Sequence, residues 1–176
     1  MVKYHLMYKN IKPATITAIR EYWKLGYWNG NDKHKKETFD NLLRKLCEIY
    51  KIQKIPYIKI DTRLKKYGCY IPSLNIIIMK KYSLITFLHE FKHAKDYFDG
   101  KKCKENNAIG WSLSLMYQVN PRYFFRIVKK GIVAYISEVD IQEEIENLSK
   151  ITNCPYCFEQ IKTIAQFCPI CGADLL

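Results

Sequence analysis

No stretch of this 176-residue chain approaches the roughly 18 consecutive apolar residues that a membrane span requires. The segment from Met1 to Lys9 also lacks the long apolar core and small-residue cleavage site of a secretory signal, so a cytoplasmic location is expected, with no membrane partner. No internal repeat or low-complexity tract is present, which argues against a solenoid or a disordered linker protein. Acidic residues are few, 17 against 29 Lys+Arg, for a formal charge of +12. Histidines are fewer still, four in all, and none follows His93. The seven cysteines do not form a secreted disulfide framework by spacing. Four fall into two CxxC pairs, and Cys47, Cys69 and Cys103 are scattered, a pattern that metal binding in a reducing compartment explains better.

The length suits one compact domain with a small appendage. Its charge is uneven: residues 1–130 carry 27 Lys+Arg and 10 Asp+Glu, whereas residues 131–176 carry 2 and 7. The basic part favours acidic partners, nucleic acid above all, although solvated basic surfaces alone also account for it. Apolar spacing predicts helices over 13–28, opened by Pro13, and over 36–50. The period then shortens, predicting strands over 55–61, 66–70 and 75–79, followed by a helix over 82–98. Another helix is expected from Lys104 to Tyr117, stopped by Asn120-Pro121, and residues 122–150 read as further helix, basic first and then acidic. These elements divide the chain into a helical segment (1–35), a catalytic domain (36–130), a helical spacer (131–150) and a terminal metal module (151–176).

Within the helix over 82–98 lies His89-Glu90-Phe91-Lys92-His93, an HExxH motif. On a helix, residues i and i+4 share a face, so both imidazoles reach one zinc ion while Glu90 stands beside a metal-bound water as catalytic base. A catalytic zinc takes three protein ligands, and the third cannot be a downstream histidine. Asp96, at i+7 from His89, lies about 10 Å along the same helix axis, too far to share the ion. Glu105, twelve residues after His93 and at the start of the next helix, is the expected third ligand; otherwise it only complements the positive end of its helix. Cys69 in Gly68-Cys69-Tyr70 is the rival donor, an ordinary strand cysteine if it does not ligate.

The second motif is Cys154-Pro155-Tyr156-Cys157, ten residues, then Cys168-Pro169-Ile170-Cys171. Two such pairs place four thiolates around one structural zinc, the pattern of a zinc ribbon. Three roles are open to it, gripping DNA, binding a protein partner or simply capping the chain, and the acidic Glu159 and Asp174 nearby disfavour DNA.

The run from Gly68-Cys69-Tyr70 through Asn75-Ile76-Ile77-Ile78 to Leu88-His89-Glu90-Phe91-Lys92-His93-Ala94 resembles the minimal zincin core of SprT-like proteases, which also carry a C-terminal zinc ribbon. The third ligand departs from that family, which uses histidine. Glu105-Asn106-Asn107-Ala108 is more similar to the corresponding stretch of ImmA/IrrE-like peptidases and other small gluzincins. The resemblance spans roughly residues 40–118 and is specific only around the metal. It implies an α+β fold with a small mixed sheet packed on the HExxH helix. It further implies hydrolysis of peptide bonds in protein or peptide substrates, including nucleic-acid-associated ones, with two zinc ions, one catalytic and one structural. It places an extended substrate on a sheet edge formed by the strand 75–79 or its neighbour. Tyr97, Tyr117, Arg122 and Tyr123 are chemically able to stabilise an oxyanion. The alternative from another class is a non-catalytic nucleic-acid- or protein-binding zinc protein with a structural or relic HExxH site. A third arrangement is a self-inhibited peptidase with residues 122–176 over the cleft.

Overall fold

Proline at a helix start and asparagine at a helix cap set the first two elements. Helix α1 (Pro13–Lys24) opens on Pro13, and α2 (Asp32–Tyr50) is capped by Asn31, whose side chain accepts from the His34 amide at 2.9 Å. The computed structural model describes residues 11–26, 29–120, 123–124, 151–153 and 160–162. The described backbone divides into two compact units, one holding the residues up to Leu115 and the other those from Met116 on.

In the first unit, three short strands follow α2: β1 (Tyr57–Ile60), β2 (Gly68–Ile71) and β3 (Ile76–Met79). A turn over Pro72–Leu74 joins β2 to β3, and Asn75 closes it in the left-handed region at φ 50°. The sheet order is β1-β3-β2, with β1 parallel and β2 antiparallel to the central β3. Helices α3 (Leu84–Phe98) and α4 (Glu105–Val119) follow, so the described residues form an α+β fold with four helices and a three-stranded mixed sheet.

The sheet lays one face on α3, where Ile58, Ile77 and Met79 are buried. Behind α3, aromatic rings tie the helices together. Phe39 meets Tyr22 at 5.3 Å and Phe87 at 5.4 Å, and Trp111 of α4 meets both Tyr50 and Phe91 at 6.2 Å. Leu43, Leu46, Leu88 and Ala94 fill the space between, and Thr15 of α1 bonds the Tyr50 hydroxyl at 2.8 Å. Each helix therefore buries one apolar stripe in a common core, which is what their 3.6-residue periodicity requires.

The second unit contains the end of α4 and an antiparallel pair, β4 (Ile151–Asn153) with β5 (Gln160–Lys162), in which Asn153 lies opposite Gln160. The helix expected over most of 122–150 and the four CxxC cysteines lie outside the described residues. No described helix is long and apolar enough to cross a membrane.

Candidate metal centre

Helix α3 begins where Ser83 caps it, accepting from the Thr86 amide at 3.4 Å, two residues later than the periodicity suggests. Its apolar residues Phe87, Leu88, Phe91 and Ala94 turn into the core, leaving His89 and His93 on the opposite stripe. Their side chains are 20% and 12% exposed, and their Nε2 atoms lie 3.1 Å apart.

Glu105, the first residue of α4, brings its carboxylate to the same point. One oxygen is 3.1 Å from His89 Nε2 and the other 3.5 Å from His93 Nε2. The contact between the two Nε2 atoms and the two contacts to the Glu105 carboxylate, each through a different oxygen, span 3.1–3.5 Å, near the tetrahedron edge of about 3.4 Å for zinc ligands at 2.0–2.1 Å. Glu105 is 75% exposed, so the side of the cluster away from the helix faces solvent. The donor set of two imidazoles and one carboxylate fits a catalytic zinc.

Glu90 is a second carboxylate near the histidines, with a ligand atom of each of the three residues within 4.8 Å of the others. Distance separates the two carboxylates: Glu105 is the one in direct reach of both Nε2 atoms. Glu90 is instead buried under strand β2, where it accepts from the Tyr70 amide. Burial first, and the Glu105 charge second, push its carboxyl up to about 7, against the opposing pull of the Tyr70 amide and Lys66. A carboxyl poised near neutrality beside a metal cluster has the proton affinity that a general base needs. Burial and the His93 charge hold His89 below the usual histidine range, favouring the neutral, ligating form, while Glu105 works the other way.

Gly68 makes room for Glu90. A Cβ on it would lie 3.0 Å from both Cγ and Oε1 of Glu90 and 2.7 Å from Thr86 Cγ2. A lone glycine inside a strand pattern is the signal for such a close approach, and sequence reasoning left this one unused. Because the Gly68 position faces α3, alternation turns Cys69 to the other face of the sheet. Burial also raises its thiol in the metal-free chain, with Glu90 adding to the effect. Glu105, and not Cys69, is the residue placed in contact with both imidazoles.

The strand 75–79 cannot carry substrate on a sheet edge, because β3 is central and both its sides are paired. Its short parallel partner β1 and hairpin partner β2 take those positions, leaving β2 as the edge nearest α3. The Lys80 amide donates to the Tyr67 carbonyl at 2.9 Å, and pairs alternate along an antiparallel ladder. Cys69 and Ile71 therefore bond to β3, while the main-chain groups of Gly68 and Tyr70 face the open edge, as the Tyr70 amide's bond to Glu90 requires.

Asp96 is bound elsewhere. It forms a buried ion pair with Lys92 one turn back, both side chains over nine-tenths buried. Among the oxyanion candidates, Tyr97 is on α3 with its ring 6.1 Å from that of Tyr70. Tyr117 and Tyr123 belong to the second unit, and Arg122 lies outside the described residues. The chain matches no family model, no curated protein and no solved structure.

Proposed function

We propose that this protein is a zinc-dependent metallopeptidase of the gluzincin type, with His89, His93 and Glu105 holding the catalytic ion and Glu90 as the base. The observation that carries this reading is the convergence of the two Nε2 atoms and the Glu105 carboxylate, through both of its oxygens, at 3.1–3.5 Å beside a buried carboxyl raised to about 7. A zinc ion held by His89, His93 and Glu105 would supply Lewis acidity towards a peptide carbonyl and a water. Glu90 is placed to accept a proton from an attacking water and to return it to the amide nitrogen as the C–N bond breaks. The Gly68 main chain and the Tyr70 carbonyl at the open edge of β2 would align an extended peptide by hydrogen bonds, the Tyr70 amide being taken by Glu90. Gly68 keeps that passage narrow and free of a side chain.

The corresponding fold reading is a zincin-like core with a C-terminal zinc ribbon, in which Cys154, Cys157, Cys168 and Cys171 hold a second, structural zinc. The pairing of β4 with β5 on either side of residues 154–159 supports it, since a ribbon hairpin brackets its first knuckle in this way. The test combines composition and turnover. Purified full-length protein is expected to carry two zinc ions per chain, and Glu90→Gln to keep both while peptide cleavage falls by roughly 10²–10⁴-fold. Cleavage retained in Glu90→Gln, or a cluster that takes up no zinc, overturns the proposal.

A further inference from the structure

The face of the sheet turned away from α3 is open and basic. Tyr57 and Lys59 of β1 are exposed on it, and Ile76 and Ile78 of β3 are half-buried. The backbone bond between Lys80 and Tyr67 extends the same face by one more pair, with the Tyr67 ring 73% exposed. Six large hydrophobic side chains are markedly exposed among the described residues, and four of them, Ile55, Tyr57, Tyr67 and Leu74, lie on or beside this sheet.

Along residues 51–81 the charge is nearly all of one sign, and beside Tyr57 the Lys36 ammonium of α2, paired to Asp40, lies 5.8 Å from the ring. Residues 51–81 contain 8 Lys+Arg and 1 Asp+Glu. The single acid, Asp61, is engaged by Arg63 at 3.3 Å. Lys65, Lys66, Lys80 and Lys81 form no ion pair among the described residues. Asp61, Arg63, Leu64, Lys65 and Lys66 line an open hollow beside the strands. Unpaired lysines repel one another across such a surface, a cost that a polyanion removes.

Charge alone suits any polyanion, and the tyrosines narrow the choice. Bases of a single strand can splay onto exposed rings on a sheet while their phosphates follow the flanking cations. A duplex keeps its bases stacked inside and gains nothing from those rings. We propose that this open sheet face and the adjoining 61–67 loop bind single-stranded nucleic acid, with phosphates on Lys59, Lys65, Lys66 and Lys80 and bases stacked on Tyr67 and Tyr57. None of its residues ligates the ion or moves the proton, and Lys66 is the one whose charge also acts on Glu90.

The experiment is fluorescence anisotropy of a labelled mixed-sequence single strand with the zinc-loaded full-length chain, across a salt series. With four phosphates engaged, the slope of log K against log salt is expected near −3, at about −0.7 for each contact. Lys65→Glu/Lys80→Glu is expected to lower the slope by about 1.4 units, and Tyr67→Ala to weaken binding roughly tenfold. The same charge reversal on α2, Lys33→Glu/Lys45→Glu, serves as control and is expected to act far more weakly. Glu90→Gln is expected to bind as the parent does, separating this surface from the catalytic cluster. Absence of binding at low salt overturns the proposal, as does equal loss in the α2 variant. So does binding of duplex or anionic vesicles as tight as that of the single strand, with Tyr67→Ala without effect.

Discussion

Gly68 is where a single methyl group should separate stability from catalysis. Its backbone is not in the left-handed region, so alanine is conformationally allowed there, and the obstacle is space alone. The added Cβ would meet Thr86 Cγ2 at 2.7 Å and Glu90 at 3.0 Å. Thr86 is β-branched, and its hydroxyl is bonded to Ser83 Oγ at 3.1 Å, so it cannot swing aside without losing that contact. Overpacking of this kind costs about 1–3 kcal/mol, offset by about 0.4–1 kcal/mol from the stiffer unfolded chain, for a net loss of about 1–2 kcal/mol. Thr86→Ser removes the obstructing methyl and keeps the hydroxyl. In urea denaturation, Gly68→Ala/Thr86→Ser should recover most of the loss, with a favourable coupling energy of about 1 kcal/mol. Peptide turnover should stay impaired in the double variant, because the clash with Glu90 remains. If Gly68→Ala is as stable as the parent and Thr86→Ser changes nothing in its background, the packing argument is refuted.

Three further outcomes are expected. Glu105→Ala should weaken zinc at the HExxH site by more than the 10–100-fold typical of groups that merely orient a ligand, leaving the other zinc in place; competition with a chromophoric chelator measures this. Lys92→Met alone should destabilise the fold by about 3–5 kcal/mol by stranding the buried Asp96 charge, and Lys92→Met/Asp96→Leu should recover most of it in chemical denaturation. In metal-free protein, Glu90 has a folded pKa of about 7, above its unfolded value near 4.5, so the folded state binds its proton more tightly. Its contribution is present below about pH 4.5 and lost as pH rises towards 7, by roughly 3 kcal/mol. His89, held low by burial, changes stability in the opposite sense below its unfolded value of about 6.5, so the quantity to measure is the difference in pH slope between the parent and Glu90→Gln. Identical slopes would show that the buried carboxyl does not titrate in that window.

The helices were legible because each keeps one apolar stripe for the core, and the strands because the period changes after Pro56. The positions of His89, His93 and Glu105 also followed, from i/i+4 spacing and from the absence of any later histidine. Strand order was not legible. Isoleucines at 76, 77 and 78 read as a strand of either kind, and only pairing with both neighbours makes β3 central and β2 the edge. The roles of Gly68 and of the Lys92–Asp96 pair depend on contacts between elements, which a one-dimensional pattern does not contain. The four CxxC cysteines lie outside the described residues, so the ribbon rests on their spacing and on the β4–β5 pair.

The loop between α3 and α4 explains how an exposed glutamate can complete a buried pair of histidines. The Lys101 amide donates to the Asp96 carbonyl at 2.8 Å, and the Cys103 thiol to the His93 carbonyl at 3.4 Å. Lys95 and Lys101 both hold the Asp99 carboxylate, at 2.6 and 3.0 Å, keeping it below the usual carboxylate range despite partial burial. The Lys101 amide, the Cys103 thiol and the Lys95–Asp99 pair reach the last turns of α3, the same stretch that carries His93, and Lys101 joins them through Asp99. The backbone of Glu105 is thereby placed by the helix that supplies the histidines, over a connector too short to wander. Its side chain, three-quarters exposed, is held there, among the described residues, by the two imidazoles alone. On the proposed reading, metal affinity would be governed less by the strength of each donor than by how firmly the loop holds the α4 start against α3. Loosening Asp99 should therefore weaken metal binding although Asp99 touches no ligand.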